Sequence, residues 1–443
     1  MTGSPKKANA VFSQIMSIPF FKKIRDEIKS IPFRGIKNVS YLTIGNFAVE
    51  IINIVGFIYI ARLLGAKNYG VYVTVSTFVG MFDLILLEGI NKSVMREGSK
   101  DVARMHVQLE KTIGVRNTLI LAAIVMCLIA SFFAPYEAQT RLYILLFSFQ
   151  LVYMGLKGFL ATIFQASEKM KYIAIYGILN RVLFVGLSLT ALYLGFGLTA
   201  LFFISLFANL ATLLLSYHFS QGIVKFKLFS KVVLDKKLLM PGLIFSLMSF
   251  VSYLTTRVDL LIISWLGTAT DVGVYGVAFR IAEQGIVLRN LTVTGFFPIF
   301  IKRFHSGKVK VKGSRLIRFS LIFFAGIFLA ALAASFFVED LVPLVFGPQY
   351  KASGYILRVL LFSLAFSWAN LPFTTAAQAT HNEKYLLMTS AGMGVLNVLL
   401  DYLFFLRFGL IGIAYGTLVV FSVGTLLECL VSYVVMKRQG HLI

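Results

Sequence analysis

Five cationic side chains, Lys157, Arg181, Arg257, Arg280 and Arg289, fall inside long apolar runs of the sequence, as do the acids Glu50, Asp83, Asp259 and Glu283. Charge is costly to place in lipid, so each of these residues is a functional candidate by default. A guanidinium presents a planar fork of donors that grips two oxygens at once, and cations at membrane depth therefore suit an anion such as a phosphate. A carboxyl group in the same setting takes up a proton or a small cation, which is the chemistry of ion coupling. Asn46, Glu50 and Asn53 fall at i, i+4 and i+7, on one helix face that should look into a cavity. Structural readings compete with these. Arg280 and Glu283 can pair on one face, as can Glu88 and Lys92, while Asp401 and Glu428 near span ends read as interfacial ion-pair partners. Cations and acids nearly balance, so an anionic substrate is permitted by the count rather than demanded by it.

Enzymatic chemistry finds no motif to rest on. The string nearest to a phosphate-binding loop, Gly307-Lys308-Val309, lacks both the first glycine and the final hydroxyl. HExxH, paired CxxC and GxSxG strings are absent from the sequence. His106, His218, His305, His381 and His441 are scattered without ligand spacing, and Cys127 and Cys429 lie in apolar runs that suggest neither a disulfide nor a metal site. The chain therefore reads as a non-enzyme with no catalytic residue, resident metal or cofactor.

The elements that position the charges follow from composition. Of 443 residues, 58% are hydrophobic and only 14% charged, and the mean hydropathy is +0.83; a soluble domain carries about 25% charged residues. Apolar runs long enough to cross a bilayer recur near 42–64, 70–91, 113–133, 142–165, 173–194, 197–217, 241–266, 272–299, 316–337, 355–379, 386–405 and 410–436. They predict an all-α integral membrane protein with twelve transmembrane helices; a barrel would need short alternating segments instead. Basic residues crowd the tail 1–40 and every second connection, among them Lys92, Arg96, Lys225, Lys227, Lys302 and Arg303. By the positive-inside rule both termini and these loops face the cytoplasm, in a multi-pass protein of the cell membrane. The net charge of +23 then sets topology and meets anionic lipid headgroups, without nucleic acid. The tail itself could lie on the membrane as an amphipathic helix or hang free. At about 1.5 Å per residue, Lys157 and Arg181 should sit ~12 Å in from the cytoplasmic side, Arg257 and Arg280 ~12–14 Å in from the outer side, and Arg289 nearer the midplane. A shared hydrated cavity would account for all five.

The chain repeats itself. LLGAKNYGVY (63–72) aligns with WLGTATDVGVY (265–275), Gln165-Ala166-Ser167 with Gln378-Ala379-Thr380, and Phe196-Gly197-Leu198 with Phe408-Gly409-Leu410, in the same order. Six helices per repeat preserve orientation, so two six-helix lobes should be related by a parallel pseudo-twofold along the membrane normal, with a site between them. The organisation expected is a basic cytoplasmic tail 1–40, an N-terminal lobe 41–217, a cytoplasmic linker 218–240, a C-terminal lobe 241–436 and a short cytoplasmic tail 437–443.

At ARLLGAKNYGVY (61–72) the sequence resembles the polysaccharide-transport branch, the Wzx-type flippases, of the multidrug/oligosaccharidyl-lipid/polysaccharide (MOP) exporter superfamily. GVYGVAFRI (273–281), LVFGPQYKAS (344–353) and GLIGIAYGT (409–417) extend the resemblance in order over nearly the whole chain. The resemblance implies two lobes around a central cavity, alternating access, and movement of a polyprenyl (di)phosphate-linked oligosaccharide from the cytoplasmic to the outer leaflet. It also implies that cavity cations hold the lipid phosphate, although no family motif assigns that role to particular residues here. Expected partners are the lipid-linked oligosaccharide, membrane lipids, a coupling cation that is either proton or sodium, and glycan-assembly enzymes. Two other readings compete. One is a MATE-type exporter of drugs or organic cations using Glu50, Asp83 and Glu283, which would need net negative charge at the midplane; the other is a non-transporting scaffold, which leaves the buried cations unexplained.

Overall fold

The computed structural model describes residues 33–86, 88–230, 253, 256–305 and 312–440. The expected amphipathic tail segment, the entry to span seven and the greater part of the linker lie outside the described residues.

The chain begins with α1, Phe33–Met81, whose 49 residues are interrupted at Gly65 (φ +76°). At about 1.5 Å per residue a straight helix of that length would exceed twice the ~30 Å hydrocarbon core. Gly65 tolerates the left-handed backbone that reverses the path, and the break falls between the expected spans 42–64 and 70–91. The second of these ends early. Helix α1 stops at Met81, a 3-10 turn at Phe82–Leu86 carries Asp83, and α2 (Glu88–Gly98) departs as a separate helix.

Helices α3 (Val102–Phe133), α4 (Ala138–Ser148), α5 (Gln150–Ala166), α6 (Lys171–Tyr193) and α7 (Leu198–Gln221) complete the first half. Residues 256–266 are helical and lead into α8 (Ala269–His305), followed by α9 (Gly313–Ser335), α10 (Val338–Phe346), α11 (Lys351–Ala369), α12 (Leu371–Ala379), α13 (Glu383–Phe408) and α14 (Leu410–Arg438). Two expected single spans are helix pairs. The fourth divides at Phe149, and the tenth divides at Asn370, where Pro372 at the second position of α12 has no N–H to continue the ladder.

Nine stretches among the described residues are long and apolar enough to cross a membrane, the first containing the Gly65 break. The molecule is an all-helical, multi-pass membrane protein. Its outward faces carry exposed Phe47, Phe132, Phe203, Leu291, Leu329 and Leu426, surface that only lipid can cover.

Helix α1 packs on α6 within the first half, and α11, α13 and α14 pack together in the second. Contacts between the halves run mainly through α1 and α8. Polar ties reinforce them: Tyr253 Oη donates to the Thr77 carbonyl (2.7 Å), Tyr350 Oη to that of Ala61 (2.8 Å) and Arg62 Nη1 to that of Val345 (3.2 Å), while Trp265 Nε1 donates to Tyr136 Oη (3.1 Å).

Candidate functional site

A cavity of about 320 Å³ opens between the halves. From α1 it takes Asn53, Phe57 and Ile60 before the Gly65 break and Tyr69, Tyr72 and Ser76 after it. Both sets recur at helical spacing, so each stretch presents one face. Helix α6 contributes Arg181, residues 256–266 contribute Arg257, and α8 contributes Phe279 and Arg280.

Three of the five candidate cations thus meet around one space, drawn from both halves of the chain. Glu283 holds two of them. One carboxylate oxygen accepts from Arg257 Nη2 and the other accepts from Arg280 Nη1 at 2.7 Å, while the Arg257 guanidinium lies 5.1 Å from the centre of the Phe279 ring. The i, i+3 pair read from the sequence is present, joined by a second arginine that sequence spacing did not connect. Glu50 stands within electrostatic reach of Arg280 and accepts a 3.4 Å hydrogen bond from Asn53 Nδ2. Asn46, one turn earlier, is exposed. Arg181 has no hydrogen-bond partner among the described residues, and its charge reaches Tyr72, Tyr153 and Lys157.

The remaining two cations lie elsewhere. Lys157 occupies a crevice of about 50 Å³ among α5, α6 and α7, its Nζ 5.6 Å from the Tyr153 ring centre and within electrostatic reach of Arg181 and Asp83. Arg289 is tied into the second half: Nε donates to the Ser367 carbonyl and Nη2 to Asn370 Oδ1, both at 2.7 Å. Asn370 Nδ2 in turn donates to Glu428 (2.5 Å), which also accepts from Ser390 Oγ (3.0 Å). Glu428 is therefore a member of a part-buried network that includes Arg289, with which its charge interacts. The side chains of Glu88 and Lys92 lie outside those described.

A second polar centre is built entirely from the second half. Asp259, 2% exposed, accepts from Tyr275 Oη at 2.6 Å and Thr417 Oγ1 at 3.1 Å. Asp401 is fully buried beside it and accepts from Asn397 Nδ2 at 2.5 Å. Sequence reading had placed Asp401 at a span end; α14 instead packs over it, with Gly416 close to its Oδ1. The available signal was Asn397 and Asp401 at i, i+4 in an otherwise apolar run. Arg116 was also missed because it begins the expected span three, whereas α3 starts at Val102 and carries it inward. It is 2% exposed, donates to the Gly155 carbonyl (2.6 Å) and Asn91 Oδ1 (2.7 Å), and lies over the Phe159 ring.

The described residues thus form an all-helical membrane fold with a cavity between its halves lined by Arg181, Arg257 and Arg280. The family described as polysaccharide biosynthesis protein matches residues 36–304, more than half of the chain, and the protein belongs to that family. A curated relative, the probable low-salt glycan biosynthesis flippase Agl15 of Haloferax volcanii, is 23% identical over 192 residues, a stretch spanning 42% of this chain and only 40% of the relative. Among solved structures, the lipid II flippase MurJ in an inward closed conformation superposes with a TM-score of 0.72 at 14% identity, covering 91% of this chain and 88% of MurJ. An inward-facing multidrug resistance MATE family transporter of the MOP superfamily gives 0.64 at 15% identity, over 90% of this chain and 98% of that one. The fold is that of the MOP transporters, in agreement with the resemblance read from the sequence, and these relatives are flippases and transporters rather than enzymes.

Proposed function

We propose that the protein is a flippase that carries a polyprenyl (di)phosphate-linked oligosaccharide from the cytoplasmic to the outer leaflet of the cell membrane, its phosphate gripped in the central cavity. The observation that carries this reading is the convergence of Arg181, Arg257 and Arg280 from three elements on one space. Planar guanidinium forks suit phosphate oxygens. At about 320 Å³ the cavity is at the small end for a ligand pocket, so the phosphate region enters first and the halves must part for the sugars. The polyprenyl tail stays in lipid. Three guanidinia line the cavity against two nearby carboxylates, Glu283 and Glu50, and this positive balance disfavours the MATE-type reading, because an exporter of organic cations needs the opposite one.

The halves act as two six-helix lobes, 41–217 and 241–436, within a twelve-span arrangement whose termini face the cytoplasm. The concentration of contacts between the halves in α1 and α8 supports a rocking motion about that seam. Coupling resides at Asp259 and Asp401. Two adjoining buried carboxyl groups need a shared proton or a cation between them, and oxygen donors from Asp259, Asp401, Asn397 and Thr417 suit a proton or a hard cation such as sodium. Lys157, in its separate crevice, serves as an entry contact for the phosphate near the inner side. Asp83 and Glu50 adjust the field around the cations, while Arg289 holds α8 to the α11–α12 break.

The test is leaflet exposure of a fluorescent lipid-linked oligosaccharide in proteoliposomes. Arg181→Ala, Arg257→Ala and Arg280→Ala should each abolish flipping in protein that still inserts, with lysine at each position restoring part of the rate. Wild-type rates in all three would overturn the assignment.

A further inference from the structure

We propose that Glu283 is an internal counter-anion: it holds Arg257 and Arg280 while the cavity is empty, yields them to the incoming phosphate, and reclaims them to expel it. The proposal rests on the anion-carrying reading above and deepens it by assigning Glu283 to release.

The geometry is that of a substitute for phosphate. One carboxylate uses its two oxygens on two guanidinia from different elements, Arg257 in residues 256–266 and Arg280 on α8. A phosphate binds a guanidinium pair in the same two-point manner. Arg257 and Arg280 line the cavity, and Glu283, which holds both, is not among the lining residues. Each guanidinium has five N–H donors, and among the described residues neither has a hydrogen-bond partner other than Glu283. Their remaining donors are free for a ligand on the cavity side.

Release is the step that needs such a group. Three guanidinia around a phosphate, in a partly enclosed space, would retain it strongly. Two guanidinia left empty at close range would repel each other and lack solvation. A carboxylate already at hand answers both problems, because arginine donors pass from one anion to another and are never left bare. Its single negative charge is weaker than that of a phosphate, so substrate can displace it. Its permanent tether makes the reverse exchange fast. Glutamine in its place would offer one acceptor oxygen and no charge, and could not hold both arginines.

The experiment uses full-length protein in nanodiscs with farnesyl diphosphate as the probe, alongside the flipping assay. Glu283→Gln is expected to bind the probe about tenfold more tightly, the scale of one charged hydrogen bond, while flipping more slowly than wild type. Glu283→Asp, which keeps the charge on a shorter arm, should bind the probe less tightly than Glu283→Gln. Equal or weaker binding by Glu283→Gln would overturn the proposal. Should Glu283→Gln fail to accumulate, Arg280→Gln combined with Glu283→Gln removes the pair together and should bind more tightly than Arg280→Gln alone; equal affinities would again overturn it. Wild-type protein that does not bind the probe, or Arg257→Ala that binds it as well as wild type, would instead defeat the anion-carrying reading itself.

Discussion

Gly70 and Gly273 meet backbone to backbone. A Cβ placed on Gly70 would stand 1.6 Å from the Ala269 carbonyl oxygen, and one placed on Gly273 would stand 2.0 Å from that of Ala66. Each glycine follows the alanine of its own half by four residues and occupies the same place in the repeated GVY string. The contact is therefore reciprocal, as a twofold axis passing between the two residues would make it. Glycine is required here for approach, since no side chain fits between α1 and α8.

A side chain at this seam should force the two helices apart. Gly70→Val or Gly273→Val is expected to raise the reactivity of a cysteine at Ser76, inside the cavity, toward an impermeant maleimide applied from the outer face. Reactivity equal to that in the glycine background would show that the seam is not the barrier between cavity and exterior.

The basic connections predict sidedness. A cysteine at Lys227, in the exposed segment after α7, should be labelled only from the cytoplasm, and one at Gln349, before α11, only from outside. The reverse pattern would invert the direction of transport proposed for the cavity.

Removing one carboxylate of the paired acids should uncouple the protein without emptying its cargo site. Asp259→Asn and Asp401→Asn are each expected to lower gradient-driven flipping about tenfold or more, roughly 1.4 kcal/mol or above, while the protein still binds farnesyl diphosphate. Imposing sodium and proton gradients separately identifies the ion. A full gradient response in both variants would exclude these acids from coupling.

Arg116 should matter for stability rather than transport chemistry. Its two short hydrogen bonds and ring contact are buried, and hydrogen bonds to charged groups contribute about 1.5–3 kcal/mol each. Arg116→Ala should lower the thermal unfolding midpoint by several degrees, with molecules that remain folded still binding the diphosphate probe. An unchanged midpoint would refute this role.

The all-helical, membrane-spanning character was legible because long apolar runs are measured along the chain. The Gly65 reversal was equally plain in LLGAKNYG, where a glycine sits between two long apolar runs. What the sequence concealed is rotation about each helix axis. Helices that face lipid outside and packed neighbours inside are apolar all round, so no hydrophobic stripe marks the inner face. Arg181 and Lys157 have nearly the same expected depth, yet one lines the central cavity and the other a side crevice. Asp401 reads as an interfacial ion-pair partner for a related reason: its distance from the span end resembles that of an interfacial residue, and only the packing of α14 buries it. The division at Phe149 carries no proline or glycine signal at the break itself.

Helix α8 bears Tyr275, which donates to Asp259, and five positions on it bears Arg280, which lines the cargo cavity. The other side of the same arrangement is shorter still, since Arg257 and Asp259 are separated by a single residue. The two centres are thus fixed to common rods about 7.5 Å apart along α8. Under the coupling proposed above, an ion arriving among the acids has no relay to operate. Whatever tilt or rotation of α8 it favours is already a displacement of Arg280, and a phosphate pulling on Arg280 strains the hydroxyl that Tyr275 extends to Asp259. Fuel and freight are distinct in chemistry and in position, but they are weighed on one beam.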